Sequence, residues 1–206
     1  MKRRIVIAAV AVLAALGSLT ANAEFRWNVT AGPTMNTLKF KQDLVEVTNT
    51  VGYTGGINGE MMFPGIGFGL DFGLLYNQMG AKVNLGQRKI WSSLGFGNEQ
   101  VYIHNITIPL HLRFKYTRLN GLEDKIAPLV FGGPEFSIQV AHNCGDAFKF
   151  SGGDLGLTCG GGMELFRRWQ LTVQYTWGMT YALKTKLLDN FSAQSRQWTV
   201  RAAYFF

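Results

Sequence analysis

Read two residues at a time, most of the chain separates into an apolar face and a polar one. The clearest stretch is 169–181. Trp169, Leu171, Val173, Tyr175, Trp177, Met179 and Tyr181 share one parity, and Gln170, Thr172, Gln174, Thr176, Gly178 and Thr180 share the other. Successive side chains of a β-strand point to opposite faces, so this segment predicts a strand with one apolar and one polar side. The same alternation predicts eight strands, at approximately 25–33, 51–63, 66–80, 100–117, 126–140, 152–166, 169–182 and 195–206. Helical periodicity is scarce. After residue 23 no apolar run reaches the roughly 18 residues that a membrane-spanning helix requires.

One such strand fits two architectures. In a soluble sandwich or a lipocalin-like barrel the apolar face points inward, and in a membrane barrel it points to lipid. The set of strands distinguishes the two. Connections after strands 2, 4 and 6 read as shorter, around Pro64-Gly65, Leu119 to Lys125 and Arg167-Arg168. Those after strands 1, 3, 5 and 7 read as about ten to nineteen residues. Outer-membrane barrels have an even strand number, short periplasmic turns and long outer loops. From Trp169 to Tyr181 a tilted strand rises roughly 30 Å, with an aromatic residue at each end. The expectation is an all-β, eight-stranded antiparallel up-and-down transmembrane β-barrel, with long loops outside and both termini in the periplasm. Trp169, Trp177, Tyr181, Trp198 and Tyr204 are expected in its aromatic girdles. The last strand carries Trp198, Val200, Ala202, Tyr204 and Phe206 on one face. In this the chain resembles known outer-membrane barrels, which commonly end on a Phe read by the assembly machinery, and the resemblance implies that Phe206 is an assembly signal.

The N-terminus fits export. Lys2, Arg3 and Arg4 precede an apolar run from Ile5 to Leu16, and Ala21-Asn22-Ala23 forms a small-x-small site. Such an order marks a cleavable secretion signal, and an apolar helix of that length spans only about 18 Å of a bilayer core near 30 Å. The expected division is a signal peptide over 1–23 and a barrel domain over 24–206. No Cys follows the cleavage site, so a lipid anchor is not indicated. The formal charge of +7 falls to +4 without the signal, too mild to argue for nucleic acid. Cys144 is expected in a loop and Cys159 well inside a strand, too far apart for a disulfide.

The polar parity collects charge. It holds Arg26, Glu60, Asp71, His111, Arg113, Lys115, Glu135, Asp154, Glu164 and Arg201, together with Gly67, Gly69, Gly73, Gly156, Gly160 and Gly162. Eight strands leave an interior just wide enough for side chains to fill. Buried charges must be paired or solvated. Glu60, Asp71, Arg113, Lys115, Glu164 and Arg201 are therefore expected to form a lumen charge network that plugs the barrel, with Arg201 paired to Asp71 or Glu60. The alternative is a thin water-filled passage.

Catalytic chemistry finds little support. The histidines are His104, His111 and His142, and no pattern places one beside a nucleophile. Ser151, Asp154 and His142 could meet at the outer rim, an arrangement that loops produce routinely. No His/Cys/Asp cluster has metal-ligand spacing. The Gly65-x-Gly67-x-Gly69 and Gly160-Gly161-Gly162 runs are not followed by a helix start, so they are not phosphate loops. No enzyme, metal or cofactor is expected.

Several segments together resemble the PorT-like outer-membrane β-barrel family of the Bacteroidota. They are GFGLDFGLLYNQMGAKV at 67–83, ITIPLHLRFKY at 106–116, APLVFGGPEF at 127–136, DLGLTCGGGMEL at 154–165 and QLTVQYTWGMT at 170–180. The resemblance implies an eight-stranded outer-membrane barrel and a link to type IX protein secretion through the family's namesake. It implies no catalytic residues. The functional expectation is a structural or interaction role in the cell envelope, with accessory service to type IX protein secretion as one form of it. The alternative is a narrow passive channel for small hydrophilic solutes. Expected partners are outer-membrane lipid, the barrel assembly machinery and envelope or secretion proteins.

Overall fold

The computed structural model of the chain describes residues 24–40, 46–63, 67–84, 98–116, 125–143, 148–150, 152–185 and 192–206. The signal segment 1–23, Cys144 and Ser151 lie outside them. The strands are β1 (Glu24–Phe40), β2 (Glu46–Met62), β3 (Phe68–Asn84), β4 (Asn98–Lys115), β5 (Ile126–Asn143), β6 (Phe148–Phe150), β7 (Gly153–Leu165), β8 (Trp169–Thr185) and β9 (Ser192–Phe205). All neighbours are antiparallel. Eight of the strands close a barrel in the order β1-β2-β3-β4-β5-β7-β8-β9, with β9 returning to β1. The short β6 adds to the far end of β8, where Phe148 faces Thr185 and Phe150 faces Leu183.

Closure leaves no sheet edge along the wall, so the backbone polar groups are satisfied between strands. Following the register round the wall from Asn28 through Asn58, Pro109, Glu135 and Gly156 returns to β1 at Leu38, ten residues further on. An eight-stranded wall with that offset is tilted about 40° and has a bore that side chains can fill.

Alternation then sorts the residues. The outward parity exposes Trp27, Ile57, Leu74, Leu112, Val130, Val173 and Val200. The inward parity is polar: Asn28, Thr34, Glu60, Asn77, Thr107, His111, Arg113, Thr158 and Gln174 are all buried. A polar core in an apolar wall inverts the usual soluble arrangement.

The strands run further than the sequence pattern predicts. Only residues 41–45 separate β1 from β2 and 186–191 separate β8 from β9, whereas 116–125 separate β4 from β5 at the other end. The expected alternation of short and long connections therefore does not hold. Beyond the apolar band both faces of a strand are polar, as at Asn36 and Thr37 or Asn49 and Thr50, so the period-2 signal fades while pairing continues. The end that carries Glu24 and Phe206 is called proximal below, and the other end distal.

Two glycines show what the inward glycines do. At Gly73 a Cβ would lie 2.0 Å from Asn58 Oδ1, so the missing side chain leaves room for that amide. At Gly162 it would lie 2.1 Å from the Leu171 carbonyl oxygen. There the glycine serves close approach of β7 to β8 rather than space for a long side chain across the bore.

Candidate functional site

Six charged side chains meet in the proximal half of the lumen: Arg26 from β1, Glu60 from β2, Asp71 from β3, Arg113 and Lys115 from β4, and Glu164 from β7. Arg26 faces Glu60 and Glu60 faces Asp71 in the register, so three neighbouring strands deliver the first row. Lys115 Nζ reaches Glu60 Oε1 at 2.5 Å and Glu164 Oε2 at 2.6 Å. Arg26 Nη2 bridges the same two carboxylates, at 2.8 Å and 2.7 Å. Arg113 binds Glu60 Oε2 through Nη1 and Asp71 Oδ2 through Nη2 at 2.6 Å and Nε at 2.8 Å. Its Nη1 also donates to Gln170 Oε1 at 2.7 Å.

The layer is charge-balanced, three cations against three carboxylates. Most of it is removed from bulk solvent: Glu60 is 1% exposed, and Arg113, Lys115 and Glu164 are 4 to 5% exposed. Desolvating an ion in a protein costs several kcal/mol, which is offset only when each charge has good partners. Here Glu60 accepts from three cations at once. Beneath the layer the Phe205 ring, buried and facing inward, lies 4.4 Å from the Arg26 guanidinium carbon. Arg26 Nη1 also donates to the Arg167 carbonyl at 3.1 Å, which ties the layer to the β7–β8 turn.

Arg201 is not part of this layer, contrary to the expectation that it pairs with Asp71 or Glu60. Among the described residues it makes no ion pair within 4 Å; its Nη2 donates to Gln174 Oε1. Gln174 Nε2 in turn donates to Glu135 Oε1 at 3.2 Å. An amide thus relays Arg201 to Glu135 in a second, more distal tier. Arg201 faces Thr172 in the register, whereas Glu164 faces Gln170, nearer the proximal end of β8. His111 stacks on Phe131 with ring centroids 5.4 Å apart, and its Nε2 lies 3.5 Å from Glu135 Oε1, outside hydrogen-bond geometry.

Further up, neutral polar pairs fill the bore. Asn77 and Gln197 exchange two hydrogen bonds of 3.1 Å and 3.0 Å, and the hydroxyls of Thr158 and Thr176 lie 2.8 Å apart. The proximal space between tiers has room for about one or two water molecules and the distal one for about one.

On the outside, Trp169 and Tyr204 meet edge to face at 5.0 Å beside Phe206, which is 78% exposed. Phe25, Trp27 and Phe72 cluster on the same proximal rim, a group that the girdle reading left out. Trp177 and Trp198 both pack on Tyr175, at 4.5 Å and 4.8 Å, further along the wall. The side chain of Tyr181 lies outside the described residues. Tyr76 and His104 face outward and share a 2.6 Å hydrogen bond. Cys159 is a free thiol on the outer wall.

The rim arrangement of Ser151, Asp154 and His142 is not assembled by the described atoms. Ser151 and the His142 side chain fall outside them, and the Asp154 carboxylate accepts from Thr180 at 2.5 Å and Ser195 at 2.8 Å. Among the described residues no group of three His, Cys, Asp or Glu could hold a metal ion. Sequence reasoning did not find the roles of Gln170 and Gln174; their inward parity was visible, but nothing in the sequence says that one accepts from Arg113 and the other relays Arg201 to Glu135.

Among solved structures, OprG of Pseudomonas aeruginosa is similar with a TM-score of 0.51 at 12% identity, over 91% of this chain and 99% of that one. At that identity the likeness shows the fold alone. Neisserial surface protein A is similar at 13% identity and a TM-score of 0.49, over 87% of this chain and 97% of that one. Ail of Yersinia pestis follows at 12% identity and a TM-score of 0.41, over 89% and 99%. No curated protein matches the sequence. Residues 6–206 match the profile of the family described as outer membrane protein beta-barrel domain. On a match of that extent the chain belongs to the outer membrane protein β-barrel family, whose place is the bacterial outer membrane.

Proposed function

We propose that this barrel is closed and serves a structural or interaction role in the cell envelope, working through its ends and its wall rather than through its lumen. The observation that carries the reading is the layer centred on Glu60, in which charges from five strands pair across the bore. A solute crossing the lumen would have to separate those pairs, and each buried charge left without its partner costs several kcal/mol. That weighs against the narrow-channel alternative.

In this account residues 1–23 are the export signal and Phe206 is read by the barrel assembly machinery. The termini stand in the periplasm and the distal hairpins face outward. The resemblance to PorT-like barrels in segments 67–83, 106–116, 127–136, 154–165 and 170–180 supports accessory service to type IX protein secretion as the specific form of the role. The role requires no catalytic group, cofactor or nucleic acid.

Two experiments test it. Vesicles reconstituted with the protein should swell in small-sugar solutions no faster than protein-free vesicles; faster swelling overturns the closed-barrel reading. Co-purification from membranes, read by mass spectrometry, should recover secretion-system components. Recovery of assembly machinery alone removes the secretion part of the proposal.

A further inference from the structure

Between the Glu60 layer and the Arg201 tier lies a small polar cavity. Its wall on β1 to β4 presents Asn28, Asn58, Asp71 and His111, and Arg113 and Arg201 line it as well. Asn28 faces Asn58, and Asp71 faces His111, in the register, so four adjacent strands build one contiguous polar wall. Each of the four residues carries a buried polar atom with no hydrogen-bond partner in the protein: Asn28 Oδ1, Asn58 Oδ1, Asp71 Oδ1 and His111 Nε2. Asn28, Asp71 and His111 are 3%, 7% and 2% exposed. Asp71 spends its other oxygen on both Arg113 contacts, and the absence of a side chain at Gly73 makes room for the Asn58 amide.

His111 Nε2 still faces the Glu135 carboxylate at 3.5 Å, but the three orphan oxygens would each cost about 1–3 kcal/mol if nothing met them. They call for a small donor. A metal cation is the wrong one, because two guanidinium groups share the cavity and the layer below is already charge-balanced. A cation there would stand in excess in a low-dielectric interior. We propose that this cavity is a built hydration site. It holds long-lived water that donates to Asn28, Asn58 and Asp71 and bonds the His111 imidazole. Arg201 also lines the next cavity in the distal direction, with Thr54, Asn77 and Glu135, so its guanidinium is the partition between two water sites. The inference is independent of whether the barrel conducts.

The test uses the full chain in lipid nanodiscs and water–protein cross-relaxation NMR. The side-chain amides of Asn28 and Asn58 should show cross-peaks at the water frequency with the sign of a bound rather than a diffusing water. These should be unchanged when NaCl is raised from low to high concentration. Asn28→Leu should abolish the Asn58 cross-peak, while Asn49→Leu, outside the site, should leave it. Should Asn28→Leu fail to assemble, the wild-type spectrum still decides. Absence of bound-water cross-peaks at both amides overturns the proposal. A shift of the Asn28 and Asn58 resonances that saturates with NaCl also overturns it, in favour of a cation site.

Discussion

Replacing Glu60 by Gln removes one negative charge from the side chain that three cations share. Glu164 still neutralises Arg26 and Lys115 in part, and Asp71 still holds Arg113. One positive charge is left in excess in a layer where Glu60 itself is 1% exposed. Breaking a buried ion pair from one side costs about 3–5 kcal/mol. The Gln amide keeps an acceptor for one of the three donors, which puts the expected loss near the lower end, about 3 kcal/mol. Lys115→Met leaves the opposite imbalance, one uncompensated carboxylate. The double substitution restores two cations against two carboxylates, so its cost should fall short of the sum by about 1–3 kcal/mol. Urea unfolding in lipid vesicles, followed by tryptophan fluorescence and by the gel shift between folded and boiled protein, measures all three. If Glu60→Gln costs under about 1 kcal/mol and the two changes are additive, the charges are screened by water and the closed layer does not exist.

The remaining substitutions address other parts of the account. Arg201→Ala should destabilise less than Glu60→Gln and should leave vesicles tight, because the ion-paired layer lies proximal to it; leakage from this variant would place the constriction at the wrong tier. Val173→Arg should cost roughly 2–4 kcal/mol in the same unfolding assay, as a cation facing lipid near the midplane, while Asn49→Arg, outward but beyond the apolar band, should cost about 0–1 kcal/mol; equal costs would refute the placement of the band. Phe206→Asp should lower the folded, heat-modifiable fraction in outer membranes while synthesis continues, and normal levels would remove Phe206 as the assembly signal.

Much of the fold was legible because a barrel wall needs only period-2 alternation. Parity alone placed Val173 outside and Thr172 inside, and gathered Glu60, Asp71, Arg113, Lys115 and Glu164 on the lumen side. Depth was harder to read. Arg201 sits on the right face but in the wrong tier, because equal height on different strands depends on the ten-residue offset round the wall, which no single strand encodes. The strand ends were missed where both faces turn polar, as at Asn36 and Thr37 and from Thr48 to Thr50. The three-residue β6 carries too short a pattern to register at all. The relay from Arg201 through Gln174 to Glu135 depends on tertiary distances that a polar parity cannot supply.

The closed lumen is tested most directly by electrical recording. The purified barrel, inserted in a planar bilayer in molar KCl, should show no steady conductance above the bare membrane at moderate voltage. The double variant Glu60→Ala/Arg113→Ala, which removes the centre of the layer, should conduct if it folds. Discrete, long-lived openings of the unmodified protein would contradict the account and would make a narrow solute channel the better description.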